Sequence, residues 1–387
     1  MRPNVARGTA RGITGWTTGL LLAGVLPQYL VGSLAVEMQA DFRFTDAQLG
    51  AAVGISFAIA AAISPLTGRA LGAVGIRRGV LVGATIVGLT SLALATLADS
   101  GAAVIACMAL GGLGSGIGSP SFSALLASEV GAHRHGVAFG LLTSAPQMAA
   151  FAAGLALPLI AEPLDWRVAF AAAATLSLVC LLALERRGMP RSVPRSERGE
   201  RRTRPLPSVY TMATAAALIS AAGIGMRSFL VVFAVSIGFG DAGAGLLLAA
   251  TGLLAIVSRL GFGVLGDWHP GDALRRAAAL MLVCAVGFAL MALGGNLAVV
   301  VGALVAGGLG WGWQSPLTLA VVTHNPLATG PAMGIQMSGF FAGATVGPLL
   351  VGLLAHVDGY SSAWIVCSLL ALAAGSVALL ARRQSPA

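Results

Sequence analysis

The sequence predicts an all-α integral membrane protein: twelve transmembrane helices arranged as two pseudo-symmetric six-helix bundles. Three observations predict it. Of the 387 residues, 57% are apolar and 10% are charged, whereas an ordinary soluble domain is about 45–50% apolar and roughly 25% charged. The apolar stretches run unbroken for the ~20 residues that a helix needs to cross a hydrocarbon core. They also lack the polar–apolar alternation of a water-filled barrel. Finally, the two halves of the chain repeat each other.

In chain order, apolar segments lie near 14–36, 46–70, 77–97, 101–128, 136–161, 166–185, 208–238, 243–266, 273–293, 297–323, 331–356 and 361–381. Turn and charge signals separate them, among them Asp41-Phe42-Arg43, Asp99-Ser100-Gly101, His269-Pro270-Gly271 and Asp358-Gly359. The one long polar stretch, Glu185 to Ser208, holds eight arginines, three glutamates and four prolines. It reads as a flexible basic linker. The expected organisation is a first bundle over 1–185, a linker over 186–207 and a second bundle over 208–387.

All 23 basic residues are arginines, and the net charge is +9. Twenty of them fall on the tails, the even-numbered loops and the adjoining helix ends, whereas Arg43 and Arg167 fall on the other side. Arginine marks the cytoplasmic side of a membrane protein, so both termini and the linker are expected in the cytoplasm, at the inner membrane. The basicity therefore reports topology and contact with anionic lipid headgroups, not nucleic acid. Arg2, Arg7 and Arg11 precede a full-length apolar run without a cleavage site, which reads as the first span and not as a removable leader. Cys107, Cys180, Cys284 and Cys367 lie inside apolar runs without metal-ligand spacing and read as small buried hydrophobes.

The repeat is explicit. Gly111–Pro120 reads GGLGSGIGSP and Gly307–Pro316 reads GGLGWGWQSP, identical at seven of ten positions. With nearly the same offset, Gly50 falls on Gly245, Gly68 on Gly263, Gly140 on Gly334 and Ser144 on Ser338. In such repeat architectures the solute site lies between the halves near the bilayer midplane. The glycine runs serve close helix packing; with no strand before them they are not phosphate cradles.

Local motifs carry a resemblance. Gly263-Val264-Leu265-Gly266-Asp267, followed by Arg275 and Arg276, has a degenerate first-half copy running from Gly68-Arg69 through Gly75 to Arg77-Arg78, in which Gly72 takes the acidic position. Asp165-Trp166-Arg167-Val168-Ala169-Phe170 opens the sixth span. With the 6+6 arrangement, these motifs resemble the major facilitator superfamily of secondary transporters across essentially the whole chain. The resemblance implies alternating access, a small-molecule substrate, no cofactor, and a central cavity lined by spans one, four, seven and ten; a monomer is expected. Physically, glycine lets helix ends approach, and a carboxylate there can accept from a helix N-terminus or an arginine. Asp267 is thus the expected gating residue, with Arg259 and the glycines Gly68 and Gly263; a static interfacial ion pair is the bland alternative. The drug-exporter pattern is missing, since span four has no arginine and span five ends Ala153-Gly154-Leu155-Ala156-Leu157-Pro158.

Residues inside the spans point to the site. A charge at the bilayer centre costs about 2.5–3.5 kcal/mol even on insertion scales. Arg227 reads as the one ionisable residue well inside a span, on a face with Ser220 and Gly223, and its fork suits a carboxylate. Trp311, Gln314, Ser315 and Thr318 form a stripe on span ten, matched on span four by Ser115, Ser119 and Ser123. Trp313 is also mid-span, Gln28 and Tyr29 lie on span one, Gln147 on span five and Gln336 on span eleven. Trp16, Trp166, Trp268, Trp364, Tyr210 and Tyr360 lie at span ends, as an interfacial belt requires.

The expected substrate is therefore a small organic anion, held by Arg227, with Tyr29, Gln28, Gln314, Gln336, Gln147 and Ser119 as polar contacts and Trp311 or Trp313 as an apolar wall. Efflux of amphipathic molecules against Trp311, Trp313, Met333, Met337 and Phe340 is the alternative; a receptor without flux is a remote one. No nucleophile–base pair or metal cluster is legible, and His133, His135, His269, His324 and His356 fall at loops or span ends, so no enzyme is expected. No carboxylate lies at mid-span; a coupling proton would use an external group such as Glu37 or Asp41.

Overall fold

The computed structural model describes the backbone of residues 3–129, 141–142, 144–187, 206–268, 272–325 and 329–384, and their side chains except at 3–13, 69, 72, 127–129, 187, 266–268, 329–331 and 384. Most of the basic linker, His133, His135, Gly140, His269, the Gly72 position and the side chains of Asp267 and Trp268 lie outside the described residues. Each of the twelve apolar segments contains a helix, and no strand occurs among the described residues. The helices are α1 (Pro3–Ser33), α2 (Asp46–Val74), α3 (Ile76–Leu97), α4 (Gly101–Glu129), α5 (Ala145–Ala161), α6 (Trp166–Arg187), α7 (Ser208–Ser236), α8 (Asp241–Trp268), α9 (Ala273–Leu293), α10 (Asn296–His324), α11 (Thr329–Val357) and α12 (Tyr360–Gln384). Ten of these are long and apolar enough to cross a membrane on their own. The apolar part of α1 makes an eleventh together with the short helix Ala35–Phe42, which bends away from it by 62°. The described part of α5 is shorter.

Local chemistry explains the ends. The short helix stops at Arg43, whose φ of 54° is left-handed. Thr45 then starts α2 with a reciprocal cap: its Oγ1 accepts from Gln48 N at 3.2 Å, and Gln48 Oε1 accepts from Thr45 N at 3.0 Å. Asp272 caps α9 by accepting from Arg275 N at 3.0 Å.

The first six helices pack among themselves and so do the last six, with α2 against α4 and α7 against α11 as principal pairs. The repeat shows in the ion pairs. At the start of α3 and end of α6, Arg77 Nη2 lies 2.7 Å from Glu185 Oε2. At the start of α9 and end of α12, Asp272 pairs with Arg382. The two bridges join equivalent positions with the charges exchanged.

The halves meet along α2–α11, α5–α8 and α1–α7. Here glycine is obligatory in both repeats. A Cβ on Gly50 would collide with the Pro348 carbonyl, and one on its equivalent, Gly245, would lie 2.6 Å from the Gly154 carbonyl. Tyr360 Oη donates to Asp46 Oδ2 at 2.7 Å across the same seam. These contacts lie at the end where α2, α8 and α12 begin, here termed distal. At the opposite, terminal end, where α1 begins and α12 ends and where residues 187 and 206 lie, a Cβ on Gly68 or Gly263 would meet nothing within 4 Å among the described residues. In this conformation the close glycine contacts between the halves are at the distal end.

Two belt assignments are also corrected. Trp166 and Trp364 are buried in the bundle. Trp166 Nε1 donates to Asp41 Oδ2 at 2.8 Å, and Trp364 packs against Phe233 and Tyr360. Asp41 also accepts from Arg167 Nη1 at 3.0 Å, so its carboxylate anchors the short helix.

Replacing Gly50 with leucine should force the distal seam open without unfolding either half. Spin labels on cysteines introduced at Leu164 and Gly240 should report a longer distal distance than in the otherwise unchanged protein.

Candidate functional site

The site is organised by α7 and α10. The face of α7 carrying Ser220, Gly223 and Arg227 turns inward, and Ser220 Oγ donates to the Phe340 carbonyl of α11 at 2.8 Å. Where α10 passes it, the GGLGWGW sequence is not an α-helix. Leu304–Leu309 is wound as a π-helix and Gly310–Trp313 as a 3₁₀ turn. Carbonyls of the distorted stretch accept from side chains of three neighbours: Ala306 from Cys284 of α9 at 3.4 Å, Gly307 from Arg227 of α7 at 2.6 Å and Leu309 from Ser258 of α8 at 2.6 Å. In a membrane, irregular backbone persists where such partners satisfy it.

Gly223 leaves room for the Trp311 ring, which sits against its Cα side. The Arg227 guanidinium then stacks on that ring, 4.3 Å from its centroid. Arg227 is 2% exposed, and its Nε and Nη1 have no hydrogen-bond partner.

Between the halves lies a cavity of about 220 Å³. It reaches from Tyr29 and Trp311 toward the terminal end at Leu21, Ser123 and Leu142. Its wall carries Gln28, Tyr29, Ser119, Gln147, Trp311 and Gln314, six of the residues expected from sequence, with Phe57, Met337, Phe340 and Phe341 supplying apolar surface. Gln28 Nε2 donates to Ser56 Oγ at 2.9 Å.

Three expected residues do not line it. Trp313 is fully buried behind Trp311, against Phe340. Gln336 is fully buried: α11 turns Met337, Phe340 and Phe341 toward the cavity, and Gln336 lies on another face, with both amide atoms unpartnered. Arg227 lies behind Trp311 and borders instead a small adjoining chamber of about 10 Å³, with Val53, Ser228 and three residues shared with the cavity wall, Gln28, Tyr29 and Phe57.

Arg259 takes the wall position. Among the described residues it is the charged group lining the cavity. Its Nη1 donates to Gln147 Oε1 at 2.9 Å, across the α5–α8 seam. Counting it among the arginines of the terminal helix ends is an error. The helix continues to Trp268, nine residues or about 13 Å farther. The apolar segment 243–266 already contained Arg259, which was the available signal. Ser315, expected on the cavity stripe, instead donates to the Arg259 carbonyl at 3.0 Å.

The sequence model described as Major Facilitator Superfamily matches residues 17–330. No curated protein matches. Among solved structures, a bacterial homologue of the human lysosomal transporter Spinster is similar in two forms. The inward-facing, occupied form has TM-score 0.72 and 15% identity, covering 100% of this chain and 99% of that one. The inward-facing, unoccupied form has TM-score 0.74 and 14% identity, covering 100% and 98%. A variant of the nucleoside transporter NupG has TM-score 0.73 and 13% identity, covering 95% and 99%.

Substituting Gly223 with alanine should displace the Trp311 ring, because the added Cβ occupies its place. Overpacking of this kind costs ~1–3 kcal/mol. A lowered Tm of the purified protein checks it.

Proposed function

Because the chain belongs to the major facilitator superfamily, we propose that it is a secondary transporter carrying a small organic anion through this cavity by alternating access. The observation that carries the reading is the charge on the wall: Arg259, with no carboxylate lining the cavity among the described residues. A guanidinium forks onto a carboxylate with bonds stronger than neutral ones. Arg259 Nη1, which donates to Gln147 Oε1, would turn that donor to the anion. Tyr29, Gln28, Gln314 and Ser119 would bond the remaining polar groups, and Trp311 and Phe340 would cover the apolar body.

The arginine distribution puts the terminal end in the cytoplasm, so this conformation is open inward. The likeness to two inward-facing structures supports that reading. Transport then requires the Gly50 and Gly245 seams to part and the Gly68 and Gly263 ends to meet. Asp267, at the end of α8, is the gating carboxylate of that second state. Glu37, on the short distal helix, is the group proposed for a coupling proton, because Asp41 is held by Trp166 and Arg167.

A second reading, export of amphipathic molecules, is favoured by the aromatic and methionine surface of Phe57, Trp311, Met337, Phe340 and Phe341. The two part on charge: the first predicts that carboxylates raise the thermal stability of the protein and that neutral or cationic amphiphiles do not.

Arg259→Gln should weaken binding of a carboxylate found in that screen by about 10–100-fold, the worth of one charge-assisted bond. Unchanged affinity would remove Arg259 from the site. For topology, a cysteine replacing Gly238 should be labelled by an impermeant maleimide in intact cells, and one replacing Arg383 should be labelled after lysis alone.

A further inference from the structure

The chamber beside Arg227 has no role in the reading above. It offers about 10 Å³ of room beside the guanidinium, a small space that suits a compact, single-centre ligand. It lies between the halves and adjoins the large cavity, whose wall also carries Gln28, Tyr29 and Phe57. One wall is a guanidinium with a single bond, to the Gly307 carbonyl, while its Nε and Nη1 have no partner. No carboxylate lines the chamber among the described residues.

We infer that this chamber is a binding site for one monatomic anion, chloride or bromide, separate from the cavity that takes the organic substrate. A buried cation with unused N–H donors is costly to leave uncompensated, and a water supplies an acceptor without cancelling its charge. A halide accepts from several donors at once and neutralises Arg227. Gln28 adapts to it. With its amide turned over, Ser56 Oγ donates to Oε1, and the Nε2 N–H groups are freed as donors. Because the chamber is shared by α1, α2 and α7, a bound halide stabilises the conformation in which the halves are closed around it. This inference does not depend on what the large cavity carries.

The test is thermal unfolding of the purified full-length protein in sodium gluconate, with gluconate replaced stepwise by chloride or bromide at constant ionic strength. A ligand of the native state raises the Tm along a saturating curve. The expected result is a rise of several degrees that saturates with chloride and with bromide. Arg259→Gln should keep this response, and Arg227→Gln should lose it. Gln28→Glu, which places a fixed carboxylate beside Arg227, should be equally insensitive to halide. If Arg227→Gln does not fold, anomalous diffraction from bromide-containing crystals of the unaltered protein decides, and a peak within bonding reach of the Arg227 guanidinium is expected. A response that does not saturate, one that persists in Arg227→Gln, or a chamber without an anomalous peak would overturn the proposal.

Discussion

A guanidinium inside a membrane protein has to be compensated by its neighbours, and the centre of this molecule is built around that requirement at Arg227. Placing a charged side chain mid-span costs about 2.5–3.5 kcal/mol on the insertion scale. One charge-assisted bond to a carbonyl returns about 1.5–3 kcal/mol, and a desolvated cation–π contact about 2 kcal/mol. Both come from α10, through Gly307 and Trp311, so the arginine clamps α7 to α10, while among the described residues its Nε and Nη1 are left without acceptors and its charge without a counterion. The clamp requires an accessible carbonyl in mid-helix, which the π-wound stretch provides, and a flat ring beside α7, which Gly223 admits. Trp311, held between Gly223 and Arg227, then becomes part of the cavity wall.

The same economy of side chains governs the contact between halves. At the distal seam the backbones of α2 and α11, and of α5 and α8, come so close that Gly50 and Gly245 admit no Cβ. Such contacts are van der Waals in nature and involve few strong polar bonds, so they can part at modest cost. At the terminal end a Cβ on the equivalent glycines Gly68 and Gly263 would meet nothing within 4 Å among the described residues. The repeated glycines thus pack tightly at one end and openly at the other, the asymmetry on which the proposed alternating access relies.

The two buried arginines divide the labour by position. Arg259 faces the cavity of about 220 Å³, and Arg227 faces the chamber of about 10 Å³. Their side chains are chemically identical, but Arg227 lies nine residues from the distal end of α7 and Arg259 nine residues from the terminal end of α8. The Trp311 ring, stacked on Arg227, also stands between that guanidinium and the larger space.

Hydropathy and length alone determined twelve helical segments, because an unbroken apolar run has one stable form in lipid, the self-satisfied helix. The internal repeat pointed to two halves of one design with a solute site between them, and the repeated glycines Gly50 and Gly245 do lie where the halves meet. Six cavity residues, Gln28, Tyr29, Ser119, Gln147, Trp311 and Gln314, were legible because polar and aromatic groups in mid-span are rare enough to stand out. Tertiary structure decided the rest. Helical spacing shows which residues share a face but not which neighbour that face meets. Arg227, Trp313 and Gln336 therefore looked as eligible as the six, until packing put them behind Trp311 or on a buried face of α11. Arg259 was hidden by its nearness to a loop motif, and the π-winding of α10 left no mark beyond its glycines. Both follow from how α7, α8, α9 and α10 close on one another, a contact between distant parts of the chain that no local pattern encodes.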